Sequence, residues 1–234
     1  MSIFAAAVLA TATAHAAPLL VTPGLHSADD LRGLDSALQE EGWYALIDRD
    51  GSFQLVPTSI ELARLRHPLS ESAALQIDAT VDGDVRFLVH GVPTAQPGPV
   101  PTTYAGSRTL VPGTWQTVGY SPEASLLLVA SDEDGQTDAE LVDMHSPAHL
   151  LVQKVRHTPS EGSSRVADVI QDLGPVQGTA RLLWAGDLDG DRVTDLLLDE
   201  TGLDGVIRAR LWLSSEAGEG GIVAEAAVFE TTGC

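Results

Sequence analysis

The sequence predicts a mainly β protein, antiparallel and sandwich-like or barrel-like, with one N-terminal helix; an α+β arrangement is the alternative. Three observations carry this reading. From residue 76 onward the apolar residues fall in short runs separated by Gly, Pro, Asp and Ser clusters. The run 206–213 alternates: Ile207, Ala209, Leu211 and Leu213 share one face, while Arg208 and Arg210 point the other way. Only one stretch carries helical spacing.

In that stretch Ser27 offers an N-cap, and Asp29 and Asp30 favour the first turn. Leu31, Leu34 and Leu38 then repeat on one face, and Gly42 closes the helix. The runs 43–47 and 53–56 are joined across Asp48-Arg49-Asp50-Gly51, which is a hairpin signal, and 60–65 adds a strand. Runs 76–81 and 85–92 flank Asp82-Gly83-Asp84, a second hairpin signal. A Pro-rich loop follows at 93–101. Further strands are expected at 114–120, 125–130, 150–156, 181–185, 195–199, 206–213 and 222–229. Segment 127–135 weakly echoes 182–190, but two copies are too few for a repeat fold.

Composition narrows the function. A hydrophobic content of 44% over 234 residues is that of a folded chain with a real core. Acidic residues outnumber basic ones 33 to 13, for a formal charge of −20. Nucleic-acid binding needs Lys and Arg to neutralise phosphates, so it is excluded, as is docking on anionic membranes. Cations or a basic protein would be attracted. Residues 1–16 form an apolar run ending in Ala14-His15-Ala16, a small-x-small cleavage site before Ala17, although no Lys or Arg precedes the run. The expectation is export, to the periplasm or beyond, with no membrane insertion. The organisation expected is a signal peptide at 1–16, a helix-plus-hairpin segment at 17–66, and a mainly β domain at 67–234. Cys234 is the only cysteine, so neither an internal disulfide nor a cysteine zinc site can form.

The most informative segment is 186–198, Gly-Asp-Leu-Asp-Gly-Asp-Arg-Val-Thr-Asp-Leu-Leu-Leu. Asp187, Asp189, Asp191 and Asp195 occupy relative positions 1, 3, 5 and 9 of a loop between two predicted strands. Two like charges about 5 Å apart repel by roughly 3 kcal/mol at an effective dielectric near 20, so four carboxylates in one loop call for a cation. Oxygen donors curled around one point suit Ca²⁺, which takes six to eight of them. The loop is not an EF-hand: its flanks are not helical, its sixth residue is Arg192 instead of Gly, and its twelfth is Leu198 instead of Glu. It resembles the calcium loops of FG-GAP and VCBS repeats of exported bacterial proteins, over these 13 residues. That resemblance implies side-chain ligands from Asp187, Asp189, Asp191 and Asp195 and a backbone carbonyl ligand from Val193. Arg192 stands where those loops usually carry Gly, at a cost of about 1 kcal/mol if its backbone is left-handed.

Weaker constellations accompany the loop. Asp132, Asp134 and Asp138 have the spacing of a degenerate second site, or of a plain turn. His145 and His149 lie four apart near Asp143, but Pro147 between them opposes the helix that zinc binding would need. Trp43, Trp115, Trp184 and Trp212 are candidates for a carbohydrate cleft or for core. Catalytic signatures are absent: no nucleophile elbow, no His-Glu-x-x-His, no phosphate-cradling loop. The expected function is a non-catalytic binding module with a structural Ca²⁺ site. The alternatives are an exported glycan-directed hydrolase and an acidic inhibitor or escort of a basic protein.

Overall fold

The computed structural model describes residues 17–34, 36–66, 73–110, 115–119, 124–131, 148–157, 165–176, 179–201 and 206–232. The predicted signal segment 1–16, the loop with Asp132, Asp134 and Asp138, the pair Asp143 and His145, and Cys234 lie outside the described residues.

The chain is mostly antiparallel β, as expected. The first half contributes β1 (Leu19–Val21), β2 (Gly24–Ser27), β3 (Trp43–Arg49), β4 (Ser52–Thr58), β5 (Ile60–Arg66), β6 (Ala73–Ala79), β7 (Asp84–His90) and β8 (Gly98–Pro99). The second half contributes β9 (Thr102–Leu110), β10 (Trp115–Val118), β11 (Ala124–Ser131), β12 (Ala148–His157) and β13 (Arg165–Val176). It ends with β14 (Thr179–Gly186), β15 (Asp195–Thr201), β16 (Val206–Leu213) and β17 (Ala224–Thr232). These strands make four sheets, in the orders β1-β7-β3-β4-β8, β2-β6-β5, β17-β16-β15-β14-β9 and β10-β11-β12-β13. None of the four closes on itself.

The sheet built on β14 to β17 is the middle layer. Its Trp184, Leu197, Ala209, Leu211, Leu213 and Phe229 join a core with Trp43, Leu46, Phe87 and Ile77 of the two N-terminal sheets. From its other face Leu182, Leu196, Leu198 and Trp212 join a second core with Leu126, Leu128, Leu150 and Val152. Successive side chains of a strand point to opposite faces, so Leu196-Leu197-Leu198 serves both cores in turn. A bulge in β14 between Leu182 and Trp184 shifts its register, and Trp184 faces the first core while Ala185 returns to the second.

The Asp48-Arg49-Asp50-Gly51 hairpin forms as the sequence indicates. β3 pairs with β4 up to Arg49 opposite Ser52, and Asp50 and Gly51 both take positive φ (54° and 85°), the backbone of a tight two-residue turn. The second predicted hairpin does not form. β6 pairs with β2 and β5, whereas β7 pairs with β1 and β3, so residues 80–83 carry the chain from one sheet to another. Phe87, Leu88 and Val89 are all fully buried, which places β7 inside its own sheet between two other strands.

The N-terminal helix is corrected. Among the described residues the only helical element is a single 3-10 turn, Ala37–Gln39, and residues 28–34 run as turns. Leu31 and Leu38 are buried and Leu34 packs beside them, so the leucine spacing reported burial without dictating a helix. Local and distant partners compete for this backbone. Ser27 pairs with Ala74 in β2, and its hydroxyl accepts from the Asp29 amide at 3.3 Å. Asp30 is drawn to the last strand, where its Oδ2 accepts from the Thr232 amide at 2.7 Å.

Candidate metal centre

The loop between β14 and β15 leaves the sheet at Gly186 and returns at Asp195, its cross-strand partner. Gly186 is required by space: a Cβ there would sit 2.1 Å from the Trp184 ring and 2.8 Å from the Pro101 carbonyl oxygen. At that point Asp187 donates its amide to Pro101 O at 2.9 Å, which docks the loop against the Pro-rich segment. Gly190 (φ 83°) and Arg192 (φ 70°) both adopt left-handed backbone. The turn therefore imposes on Arg192 the strain that its side chain makes costly, about 1 kcal/mol.

Asp187, Asp189 and Asp195 are buried, and one carboxylate oxygen from each lies within 4.8 Å of the others. This cluster could hold a metal ion. Backbone amides point into it from the loop. Asp187 accepts from Gly190 N at 2.8 Å and Arg192 N at 3.1 Å, and Asp189 Oδ1 accepts from Asp191 N at 3.2 Å. Asp195, with no exposed surface, accepts from Leu188 N and Ser214 N, each at 2.8 Å.

These bonds do not neutralise the charge. Among the described residues no Lys or Arg forms an ion pair with any of the three carboxylates. Burial pushes the Asp195 carboxyl up to about 7, opposed by the Ser214 amide and reinforced by the nearby Asp189 charge. Burial also raises Asp189, against the Ser215 hydroxyl bond and with the help of the Asp191 and Asp187 charges. A divalent cation would supply the missing positive charge to all three groups at once.

The two other predicted ligands sit differently. Asp191 is exposed and outside the three-carboxylate cluster; its Oδ1 accepts from Val193 N at 2.7 Å. Val193 is exposed at the loop tip. Three residues absent from the sequence reading complete the surroundings. Ser214 Oγ lies 2.9 Å from Asp191 Oδ2 and 3.0 Å from Asp195 Oδ1. The Ser215 hydroxyl bonds Asp189, and Thr94 Oγ1 donates to the Asp189 carbonyl at 2.9 Å. No local pattern marks them: β15–β16 pairing brings up the serines, and the 91–101 segment brings up Thr94.

The other candidates take structural places. Trp43, Trp184 and Trp212 are buried core residues, although Trp184 also lines a small pocket with Arg86, Ala105 and Gly106; the Trp115 side chain lies outside the described residues. His149 Nδ1 lies 3.0 Å from Asp172 Oδ2. Comparison with known protein families, characterised proteins and solved structures finds no match to this chain.

Proposed function

We propose that this chain is an exported, calcium-stabilised β protein that binds a partner and does not catalyse. One observation carries the reading: three buried carboxylates within 4.8 Å of one another, held by backbone amides and two serines with no described cationic side chain. Carboxylates with hydroxyl and carbonyl oxygens nearby are a hard-cation donor set, and the 1, 3, 5, 9 spacing favours Ca²⁺ among such cations. Asp187, Asp189 and Asp195 would ligate directly, with Asp191 and the Val193 carbonyl closing the shell from the exposed side. Export, read from residues 1–16, fits millimolar calcium outside the cell, where an affinity of about 10⁻⁴ to 10⁻³ M suffices. We read the layering about the middle sheet as sandwich-like, since none of the four sheets closes.

Binding to Asp187 to Asp195 would tie β14 to β15 and stabilise the folded state by mass action, by about 2.7 kcal/mol at one hundred times Kd. The experiment is the thermal midpoint of the chain from Ala17 in millimolar calcium and in excess chelator, beside Asp189→Ala. A calcium-dependent rise that Asp189→Ala abolishes supports the site; equal midpoints in both media sink it. A salt-sensitive capture of a basic protein would identify the partner class that the −20 charge favours.

A further inference from the structure

Thr94 holds a backbone conformation that a β-branched residue rarely adopts, with φ at 59°. Its side chain is exposed, and with Pro93 the residue forms a turn directly before Ala95, which is buried in the first core. What Thr94 gains is one bond: Oγ1 donates to the carbonyl of Asp189, ninety-five residues away, at 2.9 Å. The segment carrying it is pinned on both sides. Ala95 and Val100 are buried in the first core, Val100 N donates to Phe53 O at 2.9 Å, and Gly98 and Pro99 pair with Leu55 and Gln54. At its far end the Pro101 carbonyl accepts from the Asp187 amide at 2.9 Å. The 91–101 segment thus grips the backbone of two residues whose side chains enter the carboxylate cluster, Asp187 and Asp189.

We propose that Thr94 is a positioning residue for the cation loop, coupling ion binding to the docking of residues 91–101. The inference rests on the calcium reading above and adds a mechanism to it. The Thr94 bond fixes the Asp189 peptide, and with it the direction in which the Asp189 carboxylate leaves the backbone. A carboxylate preset in that direction loses less freedom when the ion binds. Linkage makes the effect reciprocal: whatever docked 91–101 does for ion affinity, the ion does for the docking of 91–101. Through β8 and β4 the ion then stiffens an edge of the N-terminal sheet that holds no ligand.

The test compares wild type, Thr94→Val and Thr94→Ser, all as the chain from Ala17. Valine keeps the branching and loses the hydroxyl; serine keeps the hydroxyl. Calcium chloride is titrated calorimetrically, and amide exchange of 91–101 is followed in calcium and in chelator. The coupling predicts slower exchange of this segment in calcium for wild type. It also predicts calcium binding weakened about fivefold in Thr94→Val, the equivalent of one hydrogen bond, with the exchange difference lost. Thr94→Ser should restore both, which a merely structural role for the side chain would not require. Calcium binding by wild type with unchanged exchange at 91–101 overturns the coupling and leaves the calcium reading intact. Wild-type affinity in Thr94→Val does the same. No calcium binding by wild type overturns both together.

Discussion

The Ser214 hydroxyl lies 2.9 Å from the Asp191 carboxylate, which is exposed, and 3.0 Å from the fully buried Asp195. It is the link between the outer carboxylate of the loop and the inner cluster. Ser214→Ala removes that link and leaves the Ser214 amide on Asp195 in place. The expected outcome is a calcium affinity about fivefold weaker, with a loss of about 1 kcal/mol of stability in chelator. Calorimetric titration and urea unfolding check the two parts separately; unchanged affinity would mean that Asp191 takes no part in binding.

The buried carboxyl of Asp195 sets a pH dependence with a definite sign. Its folded-state pKa of about 7 lies above its ordinary 3.8. The folded protein therefore holds this proton more tightly than the unfolded chain between those values. In chelator, the contribution is fully present below about pH 4 and is lost as pH rises through 7, a difference of up to about 4 kcal/mol. Asp189 acts in the same direction. A bound cation replaces the proton, so the calcium-induced rise in thermal midpoint should be largest near pH 8 and shrink towards pH 5. A rise independent of pH across that range would place the ion elsewhere.

His26 works in the opposite sense. It is buried, its Nε2 bonds the Thr22 carbonyl at 2.8 Å, its ring meets Phe229 edge-on, and its Nδ1 is buried without a partner. Burial lowers its pKa below 6.5, against the Thr22 bond and the Asp30 charge. The unfolded chain then takes up the proton first, so stability falls as pH drops from 6.5 through the folded value. His26→Gln keeps a donor for Thr22 and cannot titrate. It should lose less stability than wild type between pH 7 and pH 5, measured in chelator by urea unfolding; equal losses would show that the His26 site does not sense the proton.

Gln171 treats Val223 as a strand neighbour. Its Nε2 donates to Val223 O at 2.7 Å, and its Oε1 accepts from Val223 N at 3.1 Å and from Ile222 N at 2.7 Å. One side chain from β13 thereby satisfies three backbone groups just before β17. Gln171→Leu leaves those groups unpaired and should cost about 2 kcal/mol in urea unfolding, with no change in calcium affinity. A loss below about 0.5 kcal/mol would mean that water replaces the amide.

What the sequence disclosed was set by neighbours in the chain. The carboxylate spacing of the 187–195 loop, the Asp50-Gly51 turn and the alternation of β16 are all local, and all are present as strand or turn. The leucine spacing of 31–38 was misleading because burial at helical intervals does not need a helix when Ser27 and Asp30 are claimed by distant strands. Asp82-Gly83 turns the chain as its chemistry demands, but a turn does not say whether the next strand joins the same sheet. β9 escaped notice because it is an exposed edge strand, and β13 because Gly174 and Pro175 interrupt it. Ser214, Ser215 and Thr94 were illegible for one reason: pairing across long stretches of chain puts them beside the loop.

The middle sheet is a wall common to two rooms. Leu197 faces one core, Leu196 and Leu198 face the other, and all three follow directly from Asp195. Opening of either core disturbs the other, because each takes part of its lining from the same strand. Melting that begins in either room strips part of the wall of both, and an ion bound at the head of that strand would slow the loss of both.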